Sequence, residues 1–109
     1  MKMFVDGTLV PTSFEDNAVT KELVLHLPLR ISMSRYGGFE QVGPIGYRLP
    51  TADEPIDTKP GDIMLYMGNQ IVLFFGENSW SYTRLGHMDL DQGALRNLLD
   101  KPAVTLTLE

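Results

Sequence analysis

The segment from Pro60 to Gly76 constrains this chain more than any other. It reads Pro-Gly-Asp-Ile-Met-Leu-Tyr-Met-Gly-Asn-Gln-Ile-Val-Leu-Phe-Phe-Gly. Two apolar runs flank Gly68-Asn69, and glycines bound the whole. β-Branched and aromatic residues in the runs, with a pair tolerant of positive φ between them, spell a buried β-hairpin. The runs are apolar on both faces, so both faces have to be covered. We expect the interior of a barrel on one side and a helix on the other.

The rest of the chain fits around such a hairpin. Turn signals recur at short intervals: Asp6-Gly7, Gly37-Gly38, Gly43-Pro44, Pro60-Gly61 and Gly68-Asn69. Short strands punctuated in this way make an all-β sandwich or barrel. Asp6-Gly7 separates Met3-Phe4-Val5 from Thr8-Leu9-Val10, which predicts an opening hairpin. Leu29, Ile31 and Met33 alternate with Arg30, Ser32 and Ser34, and Val104, Leu106 and Leu108 with Thr105 and Thr107. Both stretches are half-buried strands. Two segments break the pattern. Asp16-Asn17 offers a cap before Val19, Leu23 and Leu27, and Pro28 ends the run, giving a helix over residues 17–27. Asp89 to Gln92 offers a second cap before Ala94, Leu95, Leu98 and Leu99, with Pro102 beyond, giving a helix over residues 91–99. Helices this short are marginal alone and have to dock an apolar face.

At 109 residues the chain is expected to form one domain, residues 1–109, with enough buried surface for a single core. It has no cysteine, which removes disulfides, thiolate metal sites and a cysteine nucleophile. Lys and Arg number 9 against 14 Asp and Glu. No basic stripe is available to neutralise phosphates, so nucleic acid and anionic membranes are poor partners. No apolar window approaches the roughly 20 residues of a membrane helix. The N-terminus has no apolar run behind Lys2, so a cytoplasmic location is expected.

The hairpin segment continues into Ser79-Trp80-Ser81-Tyr82-Thr83-Arg84-Leu85-Gly86. Together these words resemble the core signature of small bacterial and archaeal cyclophilin-like proteins. The resemblance is strongest from Leu27-Pro28 to Gly86 and in the C-terminal helix-strand pair; the first dozen residues match loosely. It implies a mainly β fold, a closed cyclophilin-like β-barrel of about eight strands with two short helices. The matching words are hairpin and glycine words. They specify structure and imply no activity, because a shared fold does not carry a shared chemistry.

The search for chemistry excludes much. Gly43-Pro44-Ile45-Gly46 has neither the spacing nor the following helix of a phosphate loop. His26 and His87 are far apart in sequence, and no metal-ligand spacing surrounds either. His26 suits a helix C-terminus, where a cation meets the last carbonyls. The carboxylates Asp53, Glu54 and Asp57 read as a solvated loop, since the spacing and glycine of a calcium loop are missing. Asp62 reads as an acceptor for turn amides. Gly76-Glu77-Asn78-Ser79 lacks the flanking glycines of a nucleophile elbow. No cofactor and no metal is called for.

One constellation has a binding character. On a strand, Trp80, Tyr82 and Arg84 share a face. Two aromatics and a guanidinium can clamp a ligand, or the aromatics can fill the barrel while Arg84 reaches its mouth. Tyr36, Arg35, Glu40 and Arg48 flank glycine turns and are candidates for the same mouth, with Phe75 beside them. The expected binding set is therefore Trp80, Tyr82, Arg84, Arg48, Tyr36 and Phe75, and no catalytic residue can be assigned. Three readings stay open. The first is a barrel that binds a small molecule or short peptide at its mouth. The second, by fold analogy alone, is a divergent peptidyl-prolyl cis-trans isomerase. The third is a structural or assembly module, with the Thr-rich last strand or the Trp80 face as a homodimer surface. True cyclophilins place an arginine by an aromatic and apolar pocket, and none of Arg30, Arg35, Arg48, Arg84 or Arg96 can be aligned with it. An isomerase groove would bring an arginine and aromatics together; an assembly module would show a flat apolar patch.

Overall fold

The computed structural model describes residues 1–109, with ten strands and two helices along the chain. β1 (Met3–Val5) and β2 (Thr8–Val10) form the expected opening hairpin. Asp6 and Gly7 both take positive φ, 49° and 81°, the geometry that matches a two-residue turn to the twist of its strands. Then come β3 (Thr12–Phe14), β4 (Leu29–Tyr36), β5 (Glu40–Pro44) and β6 (Glu54–Asp57). The central hairpin is β7 (Asp62–Tyr66) and β8 (Gln70–Phe74), followed by the long β9 (Ser79–Met88) and finally β10 (Ala103–Leu108).

All pairings are antiparallel, and the sheet runs in the order β2-β1-β10-β4-β5-β8-β7-β9-β3. The two outermost strands, β2 and β3, are neighbours in sequence with only Pro11 between them. One bent segment therefore pairs with β1 on one side and β9 on the other, and it draws the sheet round into a nearly closed barrel. Closure removes open edges. β10 pairs with β4 over its whole length and with β1 over Leu106–Leu108, so it lies inside the sheet.

The barrel interior is a cluster of 22 buried side chains, among them Ile31, Met33, Ile63, Leu65, Ile71, Leu73 and Leu106. Two helices add to this core. α1 (Ala18–Val24) contributes Val19 and Leu23, and α2 (Gln92–Leu99) contributes Leu95 and Leu99. Asn17 caps α1 through the Thr20 amide, and Asp91 caps α2 through the Ala94 amide. α1 is shorter than the expected span. The amides of Leu25, His26 and Leu27 bond to the carbonyls of Glu22, Leu23 and Val24, so the last turn tightens before Pro28. The helices end near opposite ends of β4: α1 leads into Leu29, and Asp100 after α2 pairs with Arg35. Gln41 on β5 is fully buried and ties down the end of α2. Its Nε2 donates to the Leu99 carbonyl at 2.8 Å and the Lys101 carbonyl at 2.6 Å.

Three local expectations are corrected. The central turn takes positive φ at Met67 and Gly68, one residue earlier than expected, and the Asn69 amide bonds to the Tyr66 carbonyl. The acidic stretch is strand β6, paired to β9, and its carboxylates have partners: Asp57 accepts from Ser79 and Glu54 approaches Arg84 at 3.9 Å. Finally, the helices fill the barrel instead of covering the outer face of the central hairpin. That face carries its own small cluster of Ile56, Met64, Val72, Phe74 and Tyr82.

Candidate functional site

A cleft opens over the outer cluster, lined by Tyr82 of that cluster and by Phe39, Val42 and Tyr66 packed against it. Strand alternation sends Ile63, Leu65, Ile71 and Leu73 inward, so Met64, Val72 and Phe74 face out. The register β5-β8-β7 then puts Glu40 opposite Phe74 and Val42 opposite Val72 on the same face. One wall is the turn that joins β4 to β5. Gly37 there has φ of 59°, and a Cβ on it would stand 2.5 Å from the Phe39 ring. Glycine thus lets Phe39 fold back under the turn, where it meets Tyr36 edge-on at a centroid distance of 5.9 Å.

The other wall comes from β9, which divides its pairing. Thr83 onward it lies beside β7, with an irregularity near Ile63 and Met64, while Ser79–Tyr82 pairs with β6. The first half therefore leaves the barrel wall as a two-stranded arm. Tyr82 packs edge-on against Phe74 at 5.6 Å, and Trp80 stands at the lip with 62% exposure. Asn78 anchors this arm by donating to the Tyr82 hydroxyl at 2.9 Å. The space between the walls is about 710 Å³, and Tyr66 and Gln70 complete its lining. That volume lies in the range of small-molecule sites.

One charge-bearing side chain other than the tyrosines lines this cleft, and it is Glu40. Only 6% of the residue is exposed. Burial pushes its carboxyl up to about 7, with no hydrogen bond or opposing charge to offset the desolvation. Burial likewise raises the Tyr82 hydroxyl above its ordinary value, against the Asn78 hydrogen bond that lowers it.

Of the expected binding residues, the structure brings Trp80, Tyr82 and Tyr36 together in the cleft. Phe75 is separate: it is fully buried in the barrel interior, 5.7 Å beneath the Arg96 guanidinium. Arg84 shares the outward side of β9 but pairs with Glu54 instead of entering the cleft. Arg48 lies near the β7–β8 turn, by Gly68. Arg35 bonds Asp100 at 3.1 Å. No arginine lines the cleft. The cleft itself opens on the outside of the barrel wall, whereas sequence reasoning put it at a mouth.

Other candidates resolve into structural roles. Asp62 accepts from the Lys59 amide at 2.8 Å, as a turn carboxylate. His26 stacks on Tyr47 at 4.3 Å. Ser13 and His87 face each other across β3 and β9, yet both bond to Asp89 and not to one another. These bonds, the one from Ser13 foremost, hold the Asp89 carboxyl below its usual range. A serine nucleophile needs the base on its own hydroxyl, so this trio is not a catalytic one. No three acidic or histidine side chains gather with metal-site geometry, and no helix is long and apolar enough to cross a membrane.

A nearly closed barrel drawn round by the bent β2–β3 segment, plugged by two helices and carrying an aromatic cleft on its outer wall, is the class of protein that this fold and site define. The sequence matches the cyclophilin-like family over residues 3–109, and the chain belongs to that family. A search among curated proteins found no match.

Proposed function

We infer that this cyclophilin-like barrel is a binding protein that takes a small molecule in the outer cleft between the β4–β5 turn and the β6–β9 arm. The observation that carries this reading is a preformed, aromatic-lined hollow of about 710 Å³ with a few polar groups, Glu40, Gln70 and Asn78, set into its wall. A few polar groups in an apolar hollow are the usual make-up of a ligand site. Trp80 at the lip adds an exposed aromatic, of the kind that contributes large contact area on binding. The chemistry of catalysis finds little support. The isomerase reading requires an arginine beside the aromatics, and Arg84, Arg35 and Arg48 are turned to Glu54, Asp100 and the Gly68 turn.

Trp80 is the only tryptophan, so its emission reports on this place alone. A library of small neutral and charged compounds, together with X-Pro peptides, should be screened by that emission. The reading expects a saturable change from at least one small compound, abolished by Tyr82→Ala in a variant that keeps its cooperative unfolding. Saturable binding that survives this substitution would refute it. Acceleration of X-Pro relaxation would favour the isomerase, and a concentration-dependent dimer with Trp80 buried would favour the assembly module.

A further inference from the structure

Glu40 sits where a carboxylate is costly. It is 6% exposed, opposite Phe74, in a hollow walled by Tyr36, Phe39, Tyr66, Trp80 and Tyr82. The residue is largely buried and its carboxylate has no hydrogen bond or ion pair within the protein, but its oxygens remain open to the hollow. It is not needed for folding as a tether, since Gln41 beside it does that work toward α2. It lies on the wall of a hollow that is open to solvent, so what can complete it has to come from outside.

Two features of the walls define that missing partner. Aromatic faces are negative and attract cations, best of all at Trp and Tyr. The hollow offers four such rings beside a carboxyl and no basic side chain to compete. The chain also carries a net charge of −5, which draws cations toward it. Resting on the small-molecule reading above, we propose that the cleft is a site for a small organic cation, an ammonium or guanidinium compound whose charged head pairs with Glu40 while its carbon parts lie against Tyr36, Tyr66, Trp80 and Tyr82.

A cation is bound by the ionised carboxyl, so binding expels the proton that the buried group otherwise holds to about 7. The groups that face Glu40 are Tyr36 from β4, Tyr66 from β7 and Tyr82 from β9, and no lysine, arginine, histidine or aspartate lines the hollow. A phenol ordinarily stays neutral below about pH 9, and the Tyr82 hydroxyl is shifted further upward. Glu40, held to about 7, changes charge between about pH 6 and pH 8. Affinity for a permanent cation should rise by about tenfold across that interval, as the ionised fraction does.

The test uses the full chain, labelled with ¹⁵N, and follows backbone and Trp80 indole signals. Choline is titrated beside its uncharged carbon isostere, 3,3-dimethylbutan-1-ol, and agmatine serves as a guanidinium probe. We expect saturable shifts at Phe39, Glu40, Asn78 and Trp80 with choline or agmatine, tighter by about tenfold than with the neutral isostere. Glu40→Gln should remove most of that preference and all of its dependence on pH. Should that variant fail to fold, Trp80→Ala at the exposed lip should weaken the cation by at least severalfold. If the neutral isostere binds as tightly as choline, the cation assignment is overturned and the small-molecule cleft stands. If neither cation saturates any of these signals at tens of millimolar, the assignment is overturned as well, and if the neutral probe also fails, the small-molecule reading falls with it.

Discussion

Replacing Glu40 by glutamine should change how stability depends on pH, with a sign set by the burial of its carboxyl group. An ordinary glutamate loses its proton near 4.5, and Glu40 in the fold holds it to about 7. The native state therefore binds more protons than the unfolded chain between those two values. Stability contributed by this group is complete below pH 4.5, declines as pH rises and is gone above about 7. The gap corresponds to about 3 kcal/mol. Because one side of the cleft is open to water, screening brings the expected effect to about 2 kcal/mol. Glutamine has nearly the same shape and never ionises. Urea melts of both proteins at pH 4, 6, 7 and 8 should thus give curves that nearly coincide at pH 4 and diverge upward. At pH 8 the Glu40→Gln variant should be the more stable by about 2 kcal/mol. Every other titrating group cancels in the difference. A difference that is flat with pH, or a native protein that gains on the variant as pH rises, would refute the claim that Glu40 is buried without a partner.

The remaining expectations concern the core, the tether and the rim. Leu73 is fully buried in the main cluster, so Leu73→Ala should cost about 2–5 kcal/mol in a denaturant melt; a loss under half a kcal/mol would put the hairpin at the surface. Gln41→Ala leaves the Leu99 carbonyl without its donor and should cost about 1–3 kcal/mol, with amide exchange in α2 accelerated ahead of the barrel strands. Arg84 makes an exposed 3.9 Å contact with Glu54, so Arg84→Ala should stay within about half a kcal/mol of the parent and leave cleft binding unchanged. Trp80 should emit at long wavelength and be readily quenched by acrylamide, because 62% of it is exposed; blue, protected emission would contradict the position of the β6–β9 arm.

Local patterns carried most of the fold. Asp6-Gly7, the alternation from Leu29 and the alternation from Ala103 each depend on residues a few positions apart, and all three elements lie where those patterns put them. The central hairpin followed from its composition alone. What covers its outer face did not, because that depends on strands distant in sequence. Apolar residues on both faces are compatible with a helix above the sheet, and here a cleft and a strand arm take that place. Strand β6 is hard to read from the sequence because its acidic residues look solvated, and only its pairing with β9 gives them a role. The same limit applies to the site. Trp80 and Tyr82 were legible as two aromatics on one face of a strand, and Tyr36 as an aromatic beside a glycine turn. Phe75 went to the interior because its neighbour Phe74 took the outward position, a choice of parity that the Phe74-Phe75 pair leaves open. Glu40 could be named near a glycine turn, yet its burial follows only from the register that sets it opposite Phe74. Reading Glu40 and Val42 as one face of a strand would have been the available signal.

The central claim is that the outer cleft, and no other part of the barrel, receives a ligand. Mapping amide and indole shifts over the whole chain while small compounds are titrated tests it most directly. The account predicts that any saturable ligand moves signals of Phe39, Glu40, Gln70, Asn78 and Trp80 and leaves α1 and the β1–β2 hairpin still. Saturable shifts centred on α1, α2 or the β1–β2 hairpin, with the cleft signals unmoved, would contradict it.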